Sequence, residues 1–355
     1  MSEQIRYLVP GPTHVLQSVL EAQVRPMIGH RTPEFLALYA SLQPRLQQVF
    51  RTAGDVLLAT SSSTMVMEAA AISTVAKDVL NLTCGAFSER WHQIFLSAGR
   101  DADQIAVPWG EAVDPELVRR ALRRKRYEAV TVTHNETSTG VLNPLAEIAA
   151  VVREESDALV LVDAVSSLAG ARLEADEWGL DLVIAGTQKA LSVPPGLVCF
   201  TFSERAAERA AALPLRGFYT DLLRYRDKHR AGGTVTTPAI ATIAALDRQL
   251  DRILEEGMEA RWRRHLDLQA STAVWAAAGG FTYPAPAAAR SPTVSCLRPP
   301  AGIAAPELVA GLAEQGYTVG GGYGRWKPET FRIGHMGEVR AVDLEALLAA
   351  IDSLV

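Results

Sequence analysis

The sequence predicts an α/β protein with a mostly parallel sheet covered by helices on both faces. Three observations point there. Short apolar runs alternate with segments of helical spacing between about residues 56 and 202. The runs are apolar at nearly every position, as strands buried on both faces require. Most of them end in polar or glycine-containing clusters, where ligands sit in such sheets. Near Glu255 the texture changes, and the remainder reads as a smaller α+β domain. Hydrophobic residues make up 48% and charged residues 21% of the 355 positions, which is enough apolar content for a large core and two domains. The expected division is 14–254 for the large domain and 255–355, with segment 1–13, for the small one.

A net charge of −5 gives no general attraction to nucleic acid or to an anionic membrane. Cys84, Cys199 and Cys296 are isolated, without metal-ligand spacing, and fit a reducing cytosol better than a disulfide framework. No secretory signal and no membrane-spanning run is visible, so a cytoplasmic protein is expected.

The elements follow in order. Ile5 to Thr13 is extended, because Pro10, Gly11 and Pro12 forbid a helix, and Thr13 is placed to cap a helix reaching about Ala22. Met27–Pro33 is a loop, and Phe35, Leu38, Leu42, Leu46 and Val49 give Glu34–Phe50 helical spacing. Strands are expected at 56–59, 79–82, 104–107, 129–133, 158–162, 182–185 and 197–202. Helices are expected at 64–75, between the strands at 79–82 and 104–107, at 115–126 and at 145–155. A long helix from about Glu255 to Ala278 leads into an alanine- and proline-rich surface loop, 281–292. Strands at 293–297, 317–319 and 331–333, with helices at 306–315 and from Asp343, complete the small domain. Six cations between Arg119 and Arg126 read as the solvated face of a helix. Gly320-Gly-Gly-Tyr-Gly324 does not fit a dinucleotide fingerprint and reads as a flexible turn near a site.

The chemistry lies at the strand ends. Lys189 follows the apolar run Leu182–Ala185, and a lysine beside a buried strand loses solvation, which makes its neutral amine easier to reach. Such an amine forms a Schiff base with an aldehyde such as pyridoxal phosphate. Asp163 closes the run 158–162, where a carboxylate needs a cation or strong donors; a helix N-cap and a protonated pyridinium nitrogen both answer that need. Thr60 to Thr64 puts consecutive hydroxyls before a helix, either as a plain cap or as a phosphate cradle. Thr83-Cys-Gly-Ala-Phe87 offers a ring that stacks on a cofactor or packs in the core. His134 to Gly140 is a polar loop within reach of the ring oxygen or the substrate.

Together these stretches resemble the class V aminotransferases of the pyridoxal-phosphate fold type I group, with the serine/alanine–glyoxylate aminotransferases nearest. The resemblance rests on Pro10-Gly-Pro12, Thr133–Val141, Val162–Ser167, Asp176-Glu-Trp-Gly179, Gly186–Leu191 with Pro194-Pro-Gly196, and Phe331–His335, in that order. It implies a seven-stranded type of sheet, pyridoxal 5′-phosphate as cofactor, no metal, and a homodimer with active sites at the interface. Carried over by position, Lys189 is the Schiff-base lysine and Asp163 the pyridinium partner. Phe87 is the stacking ring, Thr137 the O3′ contact, and Val165 and Gln188 further cofactor neighbours. Ser62, Ser63 and Thr64 cradle the phosphate, and Thr236, with Thr237 close by, supplies a phosphate ligand to the partner subunit. Arg332 grips the substrate α-carboxylate, Gly11 lines the substrate side, and His30 and Arg31 meet the substrate's distal group in the partner's site. The implied reaction moves an amino group from serine or alanine to glyoxylate or pyruvate, with phosphoserine or aspartate as alternative donors. Cysteine desulfuration and non-catalytic cofactor sensing are the rivals.

Overall fold

The computed structural model describes residues 4–355. Residues 1–3, the start of the segment grouped above with the small domain, lie outside the described residues. The central sheet has seven strands in the order Leu57–Ala59, Val198–Phe202, Leu182–Gly186, Leu159–Asp163, Ala129–Thr133, Asp78–Thr83 and Asp101–Ala106. Val198–Phe202 is antiparallel to both neighbours, and the pairings from Leu182–Gly186 to Asp101–Ala106 are all parallel.

Period-2 geometry sends alternate residues of each strand into opposite layers. Val130, Val132, Val160, Val162, Val183 and Ala185 join one hydrophobic layer. Ala129, Leu159, Leu161, Leu182 and Ile184 join the other, beneath helices Ser63–Ser73 and Ala86–Ser97. Both faces being apolar is what made these strands readable. The edge strand begins at Asp101, earlier than the expected Gln104, because its first residues face solvent and carry no apolar signal.

The second sheet runs Tyr7–Leu8, Thr318–Gly321, Phe331–Gly334, Val294–Leu297. Its own core joins Leu8, Phe281, Leu297, Phe331, Ile333 and Leu347. The expected long helix is Met258–Ala278, separated from Ile240–Glu256 by Gly257, whose φ of +83° suits glycine. Met258 and Trp262 pack into the large-sheet core, and Leu268 and Ala276 into the small-sheet core.

Four expectations change. Thr13 caps no helix: the helix is Gln17–Glu21 with Leu16 at its cap, and the Thr13 hydroxyl donates to the Lys189 carbonyl at 2.9 Å. Segment 281–292 is not simply a surface loop, since Phe281, Ala285, Ala289 and Ser291 are buried. The cations of helix Pro115–Arg124 are not merely solvated: Arg119 and Arg123 pair with Glu155, and Lys125 beyond its end pairs with Asp78 and Asp103. The glycine run is not a slack turn either. Gly320 and Gly321 end a strand, and a Cβ on Gly322 would sit 2.3 Å from the Trp326 carbonyl.

Candidate active site

Thr133, Asp163 and Gly186 end adjacent strands, with Thr133 in register with Asp163 and Asp163 with Ile184. That alignment gathers their following loops beyond the carboxyl ends of three central strands. After Gly186 the chain turns tightly, with the Thr187 hydroxyl held by the carbonyls of Pro194 (2.8 Å) and Leu197 (3.0 Å). The leading segment lies across this turn, where the Thr13 amide donates to the Gln188 carbonyl at 3.0 Å. Gly11 has a φ of +117°, and a Cβ there would come within 2.6–2.8 Å of Lys189 Cδ, Nζ and Cε. Only glycine leaves the lysine its place. Lys189 Nζ donates to the Pro10 carbonyl. Burial pushes its pKa down to about 8, and the positive charge of Arg332 adds to the fall, while Asp163 and Glu136 oppose it.

Asp163 is buried, and its carboxylate has one protein hydrogen bond, from the Val165 amide at 2.9 Å. No regular helix follows, so it is not a helix cap. Burial pushes its pKa up to about 7; the Val165 bond lowers it, the charge of Glu136 raises it, and Lys189 and Arg90 lower it. A buried carboxylate this poorly satisfied fits a cationic ring nitrogen.

Ser62 is the cap residue of helix Ser63–Ser73, but its side chain bonds none of the helix amides. The hydroxyls of Ser61 and Ser63 are buried without partners. A Cβ on Gly186 would lie 2.9 Å from Ser63 Oγ and 2.7 Å from Gln188 Oε1, so these three residues meet. Thr64 is half-buried in the first turn. Free helix amides beside unpaired hydroxyls fit a phosphate. Thr60 is differently employed: its hydroxyl accepts from the Ala239 amide and its carbonyl from Tyr219.

Arg332 Nε donates to the Gly321 carbonyl at 2.9 Å and Nη1 to the Thr137 carbonyl at 3.2 Å. Burial lowers its pKa, and none of the ion pairs among the described residues includes it. The Thr137 hydroxyl bonds Ser166 Oγ at 2.7 Å. The half-buried Phe87 ring lies 5.1 Å from that of Tyr323 at an interplanar angle of 37°.

The geometry thus joins Gly11, Lys189 and Pro10 in one contact set and Ser63, Gln188 and Gly186 in another, and links Thr137 to Arg332. His30, Arg31, Thr236 and Thr237 come together elsewhere, in a surface cleft with Lys228 and Thr234, and neither Lys189 nor Arg332 lines it. A larger cleft is lined by His134, Trp178, Trp262 and Tyr283, but Lys189, Asp163, Ser63 and Arg332 do not line it.

Three residues went unread. Glu136, fully buried, accepts from the amides of Phe87, Ser88 and Ser138 and from both serine hydroxyls, holding the Phe87 helix. Tyr323 packs on Phe87. Arg261, also fully buried, donates Nε to the Ala169 carbonyl (3.0 Å), Nη2 to the Ala190 carbonyl (2.8 Å) and Nη1 to Glu256 and Glu338. A buried charge needs such a full set of partners. Glu136 stands within a recognisable stretch and Tyr323 close to one, whereas Arg261 carries no signal in the sequence.

The family model for class-V aminotransferases matches residues 13–341. An uncharacterized aminotransferase of Methanocaldococcus jannaschii is 39% identical over 353 residues, 97% of this chain and 91% of that protein. A serine–glyoxylate aminotransferase of Methylorubrum extorquens is 31% identical over 362 residues, 97% of this chain and 89% of that protein. The crystal structure of an alanine–glyoxylate aminotransferase from Nostoc sp. superposes with a TM-score of 0.93 at 30% identity, covering all of this chain and 96% of the other. With strand-end residues that fit pyridoxal phosphate and a family match over nearly its whole length, the chain belongs to the class V aminotransferases.

Proposed function

We propose that this aminotransferase moves the amino group of a small amino acid, serine or alanine foremost, to a 2-oxo acid such as glyoxylate or pyruvate. The observation that carries the reading is Lys189: a desolvated amine with a pKa near 8, placed in the fields of Arg332 and Asp163. When bound, pyridoxal phosphate supplies an aldehyde for amines and a ring that withdraws electrons from the substrate's Cα. In this reading Asp163 would keep the ring nitrogen protonated, Phe87 and Val165 would flank the ring, and Thr137 would meet its oxygen. Ser62, Ser63, Thr64 and Gln188 surround the phosphate. Arg332 takes the α-carboxylate in the planar geometry that a guanidinium favours. Gly11 keeps the space beside the amine clear. Lys189 Nζ, as a neutral amine, would accept the proton from the donor's Cα and carry it within the site.

A second protomer belongs to the same reading. Val24, Met27, Leu215 and Phe218 are exposed apolar residues that a homodimer interface would cover. The cleft of His30, Arg31, Thr236 and Thr237 is then the part offered to the partner, with the threonines at its phosphate and the His–Arg pair at its substrate. The second sheet's own core supports the division into 14–254 and 255–355 with the leading segment, although Met258 and Trp262 pack into the large-sheet core. Three cysteines without disulfides suit the cytoplasm. Among the described residues no helix is long and apolar enough to cross a membrane. Cysteine desulfuration is disfavoured, because burial pushes Cys84 and Cys199 up to about 12 and Cys296 to about 11, far from a reactive thiolate.

The test is a set of half-reactions on the purified holoprotein, following loss of the cofactor's visible absorbance with serine, alanine, aspartate, phosphoserine and glutamate. Serine and alanine should react fastest. Borohydride reduction followed by peptide mapping should mark Lys189. Inertness towards all donors, or a mark on another lysine, would overturn the reading.

A further inference from the structure

We propose that Tyr323 determines which donors this enzyme accepts: its ring is the wall of the substrate space between Arg332 and Phe87, and it restricts the site to amino acids with short side chains. This rests on Arg332 as the carboxylate grip and Phe87 as the ring facing the cofactor. The Arg332 guanidinium carbon lies 5.4 Å from the Tyr323 ring centroid, and the Phe87 centroid lies 5.1 Å from it. A donor whose carboxylate pairs with Arg332 therefore lies beside this ring.

The wall is fixed in place from several sides. Arg90 Nη2 donates to the Tyr323 hydroxyl at 3.3 Å, and its guanidinium covers Phe87 at 5.0 Å. Before the tyrosine, the Gly321 carbonyl is bound by Arg332, and Gly322 has no room for a side chain. Beyond it, a Cβ on Gly324 would meet the Trp109 indole at 2.9 Å, Arg325 lies over that indole at 4.4 Å, and Trp326 meets it edge-on with centroids 5.7 Å apart. The Trp109 indole is itself bound to Glu89 at 2.7 Å. A ring anchored at both flanks excludes by volume, because it cannot swing aside without breaking these contacts. The hydroxyl serves only to hold the ring against Arg90, so exclusion belongs to the ring itself.

The experiment compares wild type, Tyr323→Ala, Tyr323→Leu and Tyr323→Phe by kcat/KM for alanine and serine against leucine and phenylalanine. In Tyr323→Ala the ratio of large to small donors should rise by at least about tenfold, as opening a pocket by several carbons allows. Most of the rise should come through KM for the large donors. Tyr323→Phe should keep the wild-type ratio within about twofold, since the excluding ring remains. Tyr323→Leu retains most of the buried volume and should give an intermediate ratio; it also decides the matter if the alanine variant does not fold. An unchanged ratio in the leucine and alanine variants, or an equal fall for all donors, overturns the proposal. Failure of wild type with every donor would instead remove the transaminase reading on which it rests.

Discussion

Two carboxylates lie buried within each other's field near the carboxyl ends of the central strands, and they are treated in opposite ways. Glu136 sits at the start of helix Ala86–Ser97, where amides point outwards, and it accepts from three backbone amides and two serine hydroxyls. Asp163 ends a strand, where the neighbouring amides are already committed to the ladder, and it accepts from the Val165 amide alone. The first is complete within the protein. The second is left short of partners, and burial drives its pKa to about 7. The comparison teaches that burial alone does not mark a functional carboxylate; an unmet demand for positive charge does.

The largest effect should come from the incomplete member. Asp163→Asn removes the charge that would keep a ring nitrogen protonated, and kcat should fall by about a thousandfold, about 4 kcal/mol in the barrier. Because the carboxylate also raises the pKa of Lys189, the amine in the variant should titrate below 8. Turnover within tenfold of wild type would place Asp163 beside Glu136 as a structural group.

Next is stability of the cofactor-free protein against pH. The Asp163 carboxyl titrates near 3.8 when unfolded and near 7 when folded. Below pH 4 it is protonated in both states and costs nothing. As pH rises from about 4 to 7 the unfolded chain releases the proton first, so this group draws stability away, up to about 4 kcal/mol in full above pH 7. Cofactor-free Asp163→Asn should therefore match wild type at pH 4 and exceed it at pH 8 in denaturant titrations. A constant difference across that range would show that desolvation of the charge is not what separates the two carboxylates.

The smaller effect belongs to the satisfied member. Glu136→Gln puts amide protons among donors and removes charge-assisted bonds, which should lower stability at pH 8 by about 2–3 kcal/mol. The same denaturant titration measures it. A variant as stable as wild type would mean that the helix start tolerates a neutral partner, and the contrast with Asp163 would lose one of its sides.

The sequence made one of these carboxylates visible and hid the other. Asp163 stands at the end of an apolar strand, where any charge is out of place. Glu136 reads as part of a polar loop, where a glutamate excites no remark; it lies instead in a short hairpin strand, Asn135–Glu136, and its destination is a helix 48 positions away in the chain. The strands that carry the site were legible because both of their faces are buried, which removes ambiguity about period. Asp101–Ala106 was only partly legible because an edge strand is half solvent-facing. Thr13 shows the opposite failure: a local capping pattern was present, yet the hydroxyl serves a carbonyl 176 positions away. Tyr323 was hidden by its glycine neighbours, which suggest slackness by composition while the tight packing around Gly322 and Gly324 denies it. Local rules read what neighbours in sequence decide, and these residues answer to neighbours in space.

Arg261 has a consequence of a different kind. Its one guanidinium holds the carbonyl after Lys189 and a carbonyl six residues beyond Asp163, both from a single turn of helix Met258–Ala278. One side chain thus ties the turn after the lysine to the turn after the carboxylate, and a substitution such as Arg261→Leu would release both segments at once. The two halves of the site share a single fastening on the helix behind them.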